Sequence, residues 1–333
     1  DYTAQVLKTA GRQINCLGID CYPQPRWIGP GRPAPGRETQ LAERFADAAA
    51  VMRKYGAGKE IFVSEFGYFL DCDHLFRGEY PVIHANRLAR SLLKAAVAEA
   101  ADMGLSVRIA SECEFYLFEA NEKGEMTDVP HDRAGYLDVA PLDHSEDVRR
   151  EICLTLERMN IRPESSHHER GPGQNEVDFH RADPLTAADQ LIAFYNAVRT
   201  VASRYGLRAS FLPKPIDDEA GNGMHVNLSL YRERENLFRL VNGKPGTEAG
   251  AAIAGLLNRL CGISLFLNPL PNSFDRLCDE AAPHRLCWST AQDSSALCIP
   301  LPQDRFARIR LQTPDPTCNA YLAFALIIRA ALY

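Results

Sequence analysis

Positive charge is not in excess over this sequence as a whole: the net charge is -6, which provides no basic field for nucleic acid or an anionic membrane. Any anionic ligand must therefore be held by a local cluster of donors. Long unbroken apolar runs are also scarce. The longest near the end, LAFALIIRAAL, is short and broken by Arg329, so no membrane span is expected. No secretory signal is evident, and a cytoplasmic location is the expectation. The ten cysteines never form a CxxC pair and are scattered, which argues against a disulfide scaffold. Cys113, Cys153, Cys261 and Cys287 stand in apolar surroundings and read as small buried hydrophobes in a reduced compartment. Internal repeats and low-complexity tracts are missing as well, leaving an α+β body.

What is present is an ordinary globular composition, 46% hydrophobic and 24% charged, over 333 residues, enough for two domains. Residues 22 to 38, YPQPRWIGPGRPAPGRE, are rich in Pro and Gly and read as a loop between a strand-like INCLGIDCY and a helix-like TQLAERFADAAAVMRKYG. The expected boundary lies near residue 80, dividing the chain into 1–80 and 81–333. Beyond it, apolar spacing predicts a helix from Asn86 to Met103, then two strands, SVRIA and CEFYLFE. SEDVRREICLTLERMN reads as a helix capped by Ser145, and TAADQLIAFYNAVRTVASRYG as one stopped by Gly206. ASFLPKP and GMHVNLSLY read as strands, and AGAAIAGLLNRLCGISLFL and CNAYLAFALIIRAALY as helices.

In SECEFYLFE, Glu112 and Glu114 stand two apart, so on a strand both carboxylates face the same way. Two buried like charges are costly unless a cation lies between them. Further oxygen and nitrogen donors come from Glu169 with His167 and His168, from Glu176, and from His225. A hard divalent ion such as Mg²⁺ or Mn²⁺ wants mainly carboxylates, with water and phosphate completing its shell.

These segments resemble the glutamine synthetase family. ECEFYLFE, HHERGPGQNEV, FLPKPIDDEAGNGMHVNLSL, NPLPNSFDRL and PDPTCNAYLAFALIIRAAL are similar to its motifs, in order, over about residues 69 to 333. The resemblance implies a small β-grasp N-terminal domain before a catalytic domain built on a curved antiparallel sheet. It also implies a homo-oligomeric ring, hexamer or dodecamer, and a ligase that uses ATP to join glutamate to ammonia or another amine. Carried over by position, Glu114, Glu169 and Glu176 match the first metal site, and Glu112 and His225 match two ligands of the second. Glu164 and Ser229 match nucleotide contacts, Gly221 and Arg276 match substrate contacts, and His225 borders the substrate.

The pattern also breaks. Where the family has a metal-binding Glu and, two residues later, an Arg, RIRLQTPD has Arg310 and Gln312. A guanidinium cannot bind a cation, so Arg310 is expected to take the second ion's place and pair with Glu112. In DEAAPH, Ala281 stands at the family's flap glutamate; Glu280, one residue earlier, is the remaining catalytic candidate beside Arg276. In WSTAQDSSALCIP, Asp293 and Cys298 stand where two phosphate-binding arginines are expected. The reading is a ligase with weakened glutamine formation; the alternative is a non-catalytic homologue, a pseudoenzyme, that binds metal or nucleotide or assembles with an active paralogue. Residues 1–68 match poorly, and GIDCYP with EIFVSEFGY resembles a glycosidase fragment in which Glu65 would be a nucleophile; the chain lacks the length and second carboxylate that this needs.

Overall fold

A computed structural model describes residues 16–20, 60–65, 80–279, 282–291, 294–301 and 307–333. The chain divides into two compact units, Asp1–Leu88 and Ala89–Tyr333. In the first, β1 (Cys16–Asp20) pairs in parallel with β2 (Glu60–Glu65). The rest of the expected β-grasp domain, and the side chain of Glu65, lie outside the described residues.

The second unit is built on a ten-stranded open sheet. Its centre is β3 (Leu105–Ala120), a 16-residue strand. On one side β3 pairs with β8 (Met224–Arg232), and β8 with β12 (Ile309–Leu311). On the other it pairs with β6 (Gln174–Phe179), and β6 with β5 (Pro163–His168). β4 (Met126–Pro130) and β7 (Leu207–Ser210) extend the far end of β3, and β9 (Glu235–Asn236) pairs with β8. β11 (Ser295–Cys298) follows β12, and β10 (Arg285–Ser289) joins β11 in the sheet's one parallel pairing among the described residues.

The sequence suggested two strands where β3 is one. Ser111 and Glu112 look like a break, yet they are interior positions of a central strand: Asn227 of β8 and Arg310 of β12 donate to the Glu112 carboxylate, while Ser111 Oγ is buried without a partner among the described residues. Cys113, Phe115 and Leu117 point to the opposite face. There Phe115 meets Phe194 of α3 (Pro184–Arg204) at 5.9 Å between centroids, and Phe179 of β6 meets Phe194 at 4.9 Å. These edge-on contacts form the centre of the core. α3 starts two residues before the TAADQ read from sequence, on an acceptor before Pro: the Asp183 side chain accepts from Thr186 N, and Gly206, at φ 74°, ends the helix region as expected.

α1 (Tyr80–Asp102) begins six residues before the Asn86 read from sequence, and buries Ala89, Leu93, Ala96 and Ala100 at helical spacing. α2 (Glu146–Arg158) starts after Ser145, but the hydroxyl makes no cap; it donates to Asp132 instead, at 3.1 Å. α4 (Thr247–Leu267) is long and apolar enough to pass for a membrane span. Its Ala252, Ile253, Leu256 and Leu260 are nevertheless buried in the protein, and it packs on α6 (Ala320–Leu332) where a side chain at Gly255 would run into the Ala330 carbonyl. α5 (Pro271–Leu277) carries Arg276. Of the cysteines expected to be buried, Cys113 is, Cys153 and Cys287 are half-buried, and Cys261 is exposed. Cys261 lies within an apolar helix but on its solvent side, a distinction that local apolarity does not carry.

Candidate functional site

Strand register assembles the site. Glu112 on β3 lies opposite His225 on β8 and Asp178 on β6; Glu114 lies opposite Glu176, which lies opposite His167 on β5. Arg310 on β12 lies opposite Asn227 on β8. Because side chains alternate across a strand, the Glu112–Glu114, Glu176–Asp178 and His225–Asn227–Ser229 series each present to one face. Asp178 escaped the sequence reading, although the carboxylate pair in QNEVDF obeys the same two-residue rule as the one in ECEFYLFE.

The cation facing Glu112 is Arg310. Its Nη2 donates to Glu112 Oε1 at 2.7 Å, Asn227 Nδ2 donates to the same oxygen at 2.7 Å, and His225 Nδ1 is 3.3 Å from Oε2. Burial pushes the Glu112 carboxyl up, but the His225 bond, the guanidinium and Asn227 together outweigh it and hold the group down at about 2. Gln312 is buried and donates to the Ser295 carbonyl at 2.7 Å.

Glu176 and Glu169 meet an imidazole rather than a guanidinium: His167 Nε2 lies 3.3 Å from Glu176 Oε2 and Nδ1 3.5 Å from Glu169 Oε1. Glu114 Oε2 accepts from Gly223 N at 2.8 Å and from Gln174 Nε2 at 3.1 Å. Even so, burial first and the Glu169 charge second push Glu114 up to about 7. Burial, then Asp178, Glu114, Glu112 and Glu169, push Glu176 well up; burial and then Glu112 raise Asp178 to about 6. Glu176 Oε1 is buried without a hydrogen-bond donor among the described residues. An acceptor left bare among like charges is the arrangement a divalent ion resolves, so the donor set fits one. One ligand atom each from His167, Glu169 and Glu176 lie within 4.8 Å of one another. Glu112, Glu176 and His225 form a second such group, but Arg310 already answers its Glu112.

A buried network holds this hairpin. His168 Nε2 lies 2.8 Å from Asp132 Oδ1 and its Nδ1 2.7 Å from the Glu169 carbonyl; both partners only accept, so both nitrogens donate. Asp132 also accepts from Gly173 N at 2.8 Å. Arg149 clamps Asp143 and reaches Asn175 Oδ1 at 2.6 Å. Although Asp132, Asp143 and His168 are close enough to share an ion, these hydrogen bonds already use them.

Arg276 is buried and donates to the Thr313 carbonyl at 2.9 Å and the Gln312 carbonyl at 3.2 Å. Gly221 and Gly223 give it room: a Cβ on either would come within 2.8 Å of its side chain. Ser229 Oγ donates to the Ala307 carbonyl at 3.0 Å. Glu164 is not brought into the cluster; its exposed side chain has His180 Nδ1 at 3.9 Å. Cys298 is buried on β11, its Sγ 3.3 Å from the Ala291 carbonyl, while Glu280, Ala281 and Asp293 lie outside the described residues.

Residues 86–333 match the family model described as glutamine synthetase, catalytic domain. The glutamine synthetase of Clostridium saccharobutylicum is 43% identical over 246 residues, covering 73% of this chain and 56% of the relative. That of Methanosarcina mazei is 42% identical over 246 residues, covering 73% and 55%. Among solved structures, Plasmodium falciparum glutamine synthetase superposes with a TM-score of 0.66 at 25% identity, covering 73% of this chain and 55% of that one. GmaS in complex with ADP gives a TM-score of 0.65 at 30% identity, covering 73% and 58%. The chain spans about half the length of the curated relatives it matches. With its motifs in order on this sheet, the chain belongs to the glutamine synthetase family.

Proposed function

We propose that the chain is a glutamine-synthetase-type ligase whose glutamine formation is weakened, with one divalent ion, Mg²⁺ or Mn²⁺, at the carboxylates around Glu169 and Glu176. A guanidinium stands in the second ion's place. The observation that carries this reading is the 2.7 Å pair between Arg310 Nη2 and Glu112 Oε1. In the family's reaction ATP phosphorylates the side-chain carboxylate of glutamate, and ammonia or another amine then displaces phosphate. A divalent ion supplies neutralisation of the charge that spreads over a transferring phosphoryl group. In this chain Glu114, Glu169 and Glu176 are the family's ligands for it, Ser229 lies at the nucleotide end, and Gly221 and Arg276 would hold the amino acid.

The weakness follows from charge. An arginine acting on a transferring phosphoryl group is worth about 10³-fold or more in kcat, and Gln312 cannot replace it. Arg310 neutralises Glu112 but offers phosphate oxygens no open coordination position. The same two residues favour the second reading, a non-catalytic member that binds metal or nucleotide. Solubility in the cytoplasm and assembly into a ring belong to the proposal as well.

Phosphate release from ATP with glutamate and ammonium tests it, comparing the unmodified chain with the Arg310→Glu, Gln312→Arg double variant. The expected result is slow release by the unmodified chain and an increase of at least roughly tenfold in the double variant. Calorimetry is expected to show one Mn²⁺ per chain, and a second binding event in Arg310→Glu. Release by the unmodified chain that the double variant does not exceed overturns the weakening, and any clear turnover by the unmodified chain excludes the non-catalytic reading.

A further inference from the structure

We infer that Gln312 is a positioning residue for the carboxylate of the amino-acid substrate: its side-chain amide fixes the stretch of main chain that aims Arg276. The inference rests on the reading of Arg276 as a group that would hold the amino acid, and goes beyond it in naming the residue that sets Arg276 in place.

Arg276 is 4% exposed, and among the described residues it ion-pairs with no carboxylate. Two consecutive main-chain acceptors orient its guanidinium instead: Nη1 donates to the Thr313 carbonyl at 2.9 Å and Nη2 to the Gln312 carbonyl at 3.2 Å. A guanidinium has five N–H donors, so this grip leaves three, enough to hold a carboxylate through two of them. Where those donors aim is therefore a property of the main chain at residues 312 and 313. That stretch lies just past the end of β12 at Leu311, where regular pairing no longer sets it.

Two bonds tie Gln312 to β11. Its main-chain N donates to the Ala296 carbonyl at 3.0 Å, and its Nε2 donates to the Ser295 carbonyl at 2.7 Å. The first is open to any residue except proline; the second needs a side chain of this length that ends in a donor. The Ser295 carbonyl only accepts, so the amide turns its NH₂ group toward it. Gln312 is 5% exposed and Ser295 0%, so the bond forms away from water, where its loss costs most. On the far side the Pro314 carbonyl accepts from Met224 N at 2.9 Å. The two carbonyls that hold Arg276 thus lie between anchors on β11 and β8, and the Gln312 amide is the anchor that a side chain supplies. Precision matters here, because a shift of about 1 Å in a group that positions substrate can cost 10²-fold.

Calorimetry with L-glutamate on the Mn²⁺-loaded chain tests this. Gln312→Met keeps the length and loses the donor, and Gln312→Glu keeps the shape and only accepts; each is expected to weaken glutamate binding roughly tenfold. The affinities for Mn²⁺ and ADP are expected to stay within about twofold, a split that a general loosening of the fold does not give. Arg276→Lys is expected to show the same split, because one ammonium cannot take the place of a planar fork. Gln312→Arg retains N–H donors that can keep the tie to Ser295, so it is not diagnostic. Unchanged glutamate affinity in Gln312→Met overturns the inference and leaves Arg276 in its proposed role. Losses that fall equally on glutamate, ADP and Mn²⁺ overturn it too, since they mark a residue that only packs. A glutamate loss in Gln312→Met that Arg276→Lys does not share shows that the effect does not run through Arg276, and also overturns it. No glutamate binding by the unmodified chain overturns both this inference and the proposed substrate.

Discussion

Glu112 and Glu114, two positions apart on one strand, are driven in opposite directions by what stands beside them. Glu112, against Arg310, is held down at about 2, whereas buried Glu114 near Glu169 rises to about 7. The consequence for stability has a definite sign. Glu114 binds its proton in the folded metal-free chain at pH values where an unfolded Glu, near 4.5, has lost it. Stability from this group is therefore complete below 4.5 and declines as pH rises through about 7; Glu176, raised for the same reason, acts in the same direction. Glu112 acts oppositely, but only between 4.5 and about 2, outside that range. Thermal melting of the metal-free chain is expected to fall between about pH 5 and pH 7.5, and saturating Mn²⁺ to flatten the slope, because the ion replaces those protons. A melting temperature that rises over the same interval in the metal-free chain would contradict this electrostatic account.

Elements differ in how much of them can be read before folding. Period two is a strong constraint and made ECEFYLFE legible as two carboxylates on one face, whereas the pairing of Arg310 with Glu112 was expected from the resemblance of RIRLQTPD to the family's metal-binding segment. The unity of β3 was not legible, since Ser111 and Glu112 interrupt its apolar pattern and the partners of Glu112 lie on β8 and β12. Nor was the use of Ser145, whose hydroxyl goes to Asp132, a partner 13 residues away that no local rule identifies. The exposed side of α4, with Cys261, is likewise set by where α6 packs. The core shared by α3 and the sheet gives a direct test at this scale. Phe194 is fully buried against Phe115, Phe179 and Phe211, and Phe194→Ala is expected to cost about 3–5 kcal/mol by urea denaturation. A loss below about 1 kcal/mol would show that the aromatic cluster is not the centre of the core.

For the whole molecule, the match to its relatives covers only a little over half of each of them, so assembly is a separate question from fold. A ring predicts a light-scattering mass at a multiple of six of the 37.0 kDa chain; a mass at that of one chain would remove the ring from the proposal. The Arg310–Glu112 pair has a further bearing on how the molecule meets its surroundings. A side chain cannot be stripped out by a chelator or outcompeted when metals run short. Were the proposed ion at Glu169 and Glu176 lost to starvation, Glu112 would still keep its counter-charge, covalently supplied, whatever the supply of divalent ions.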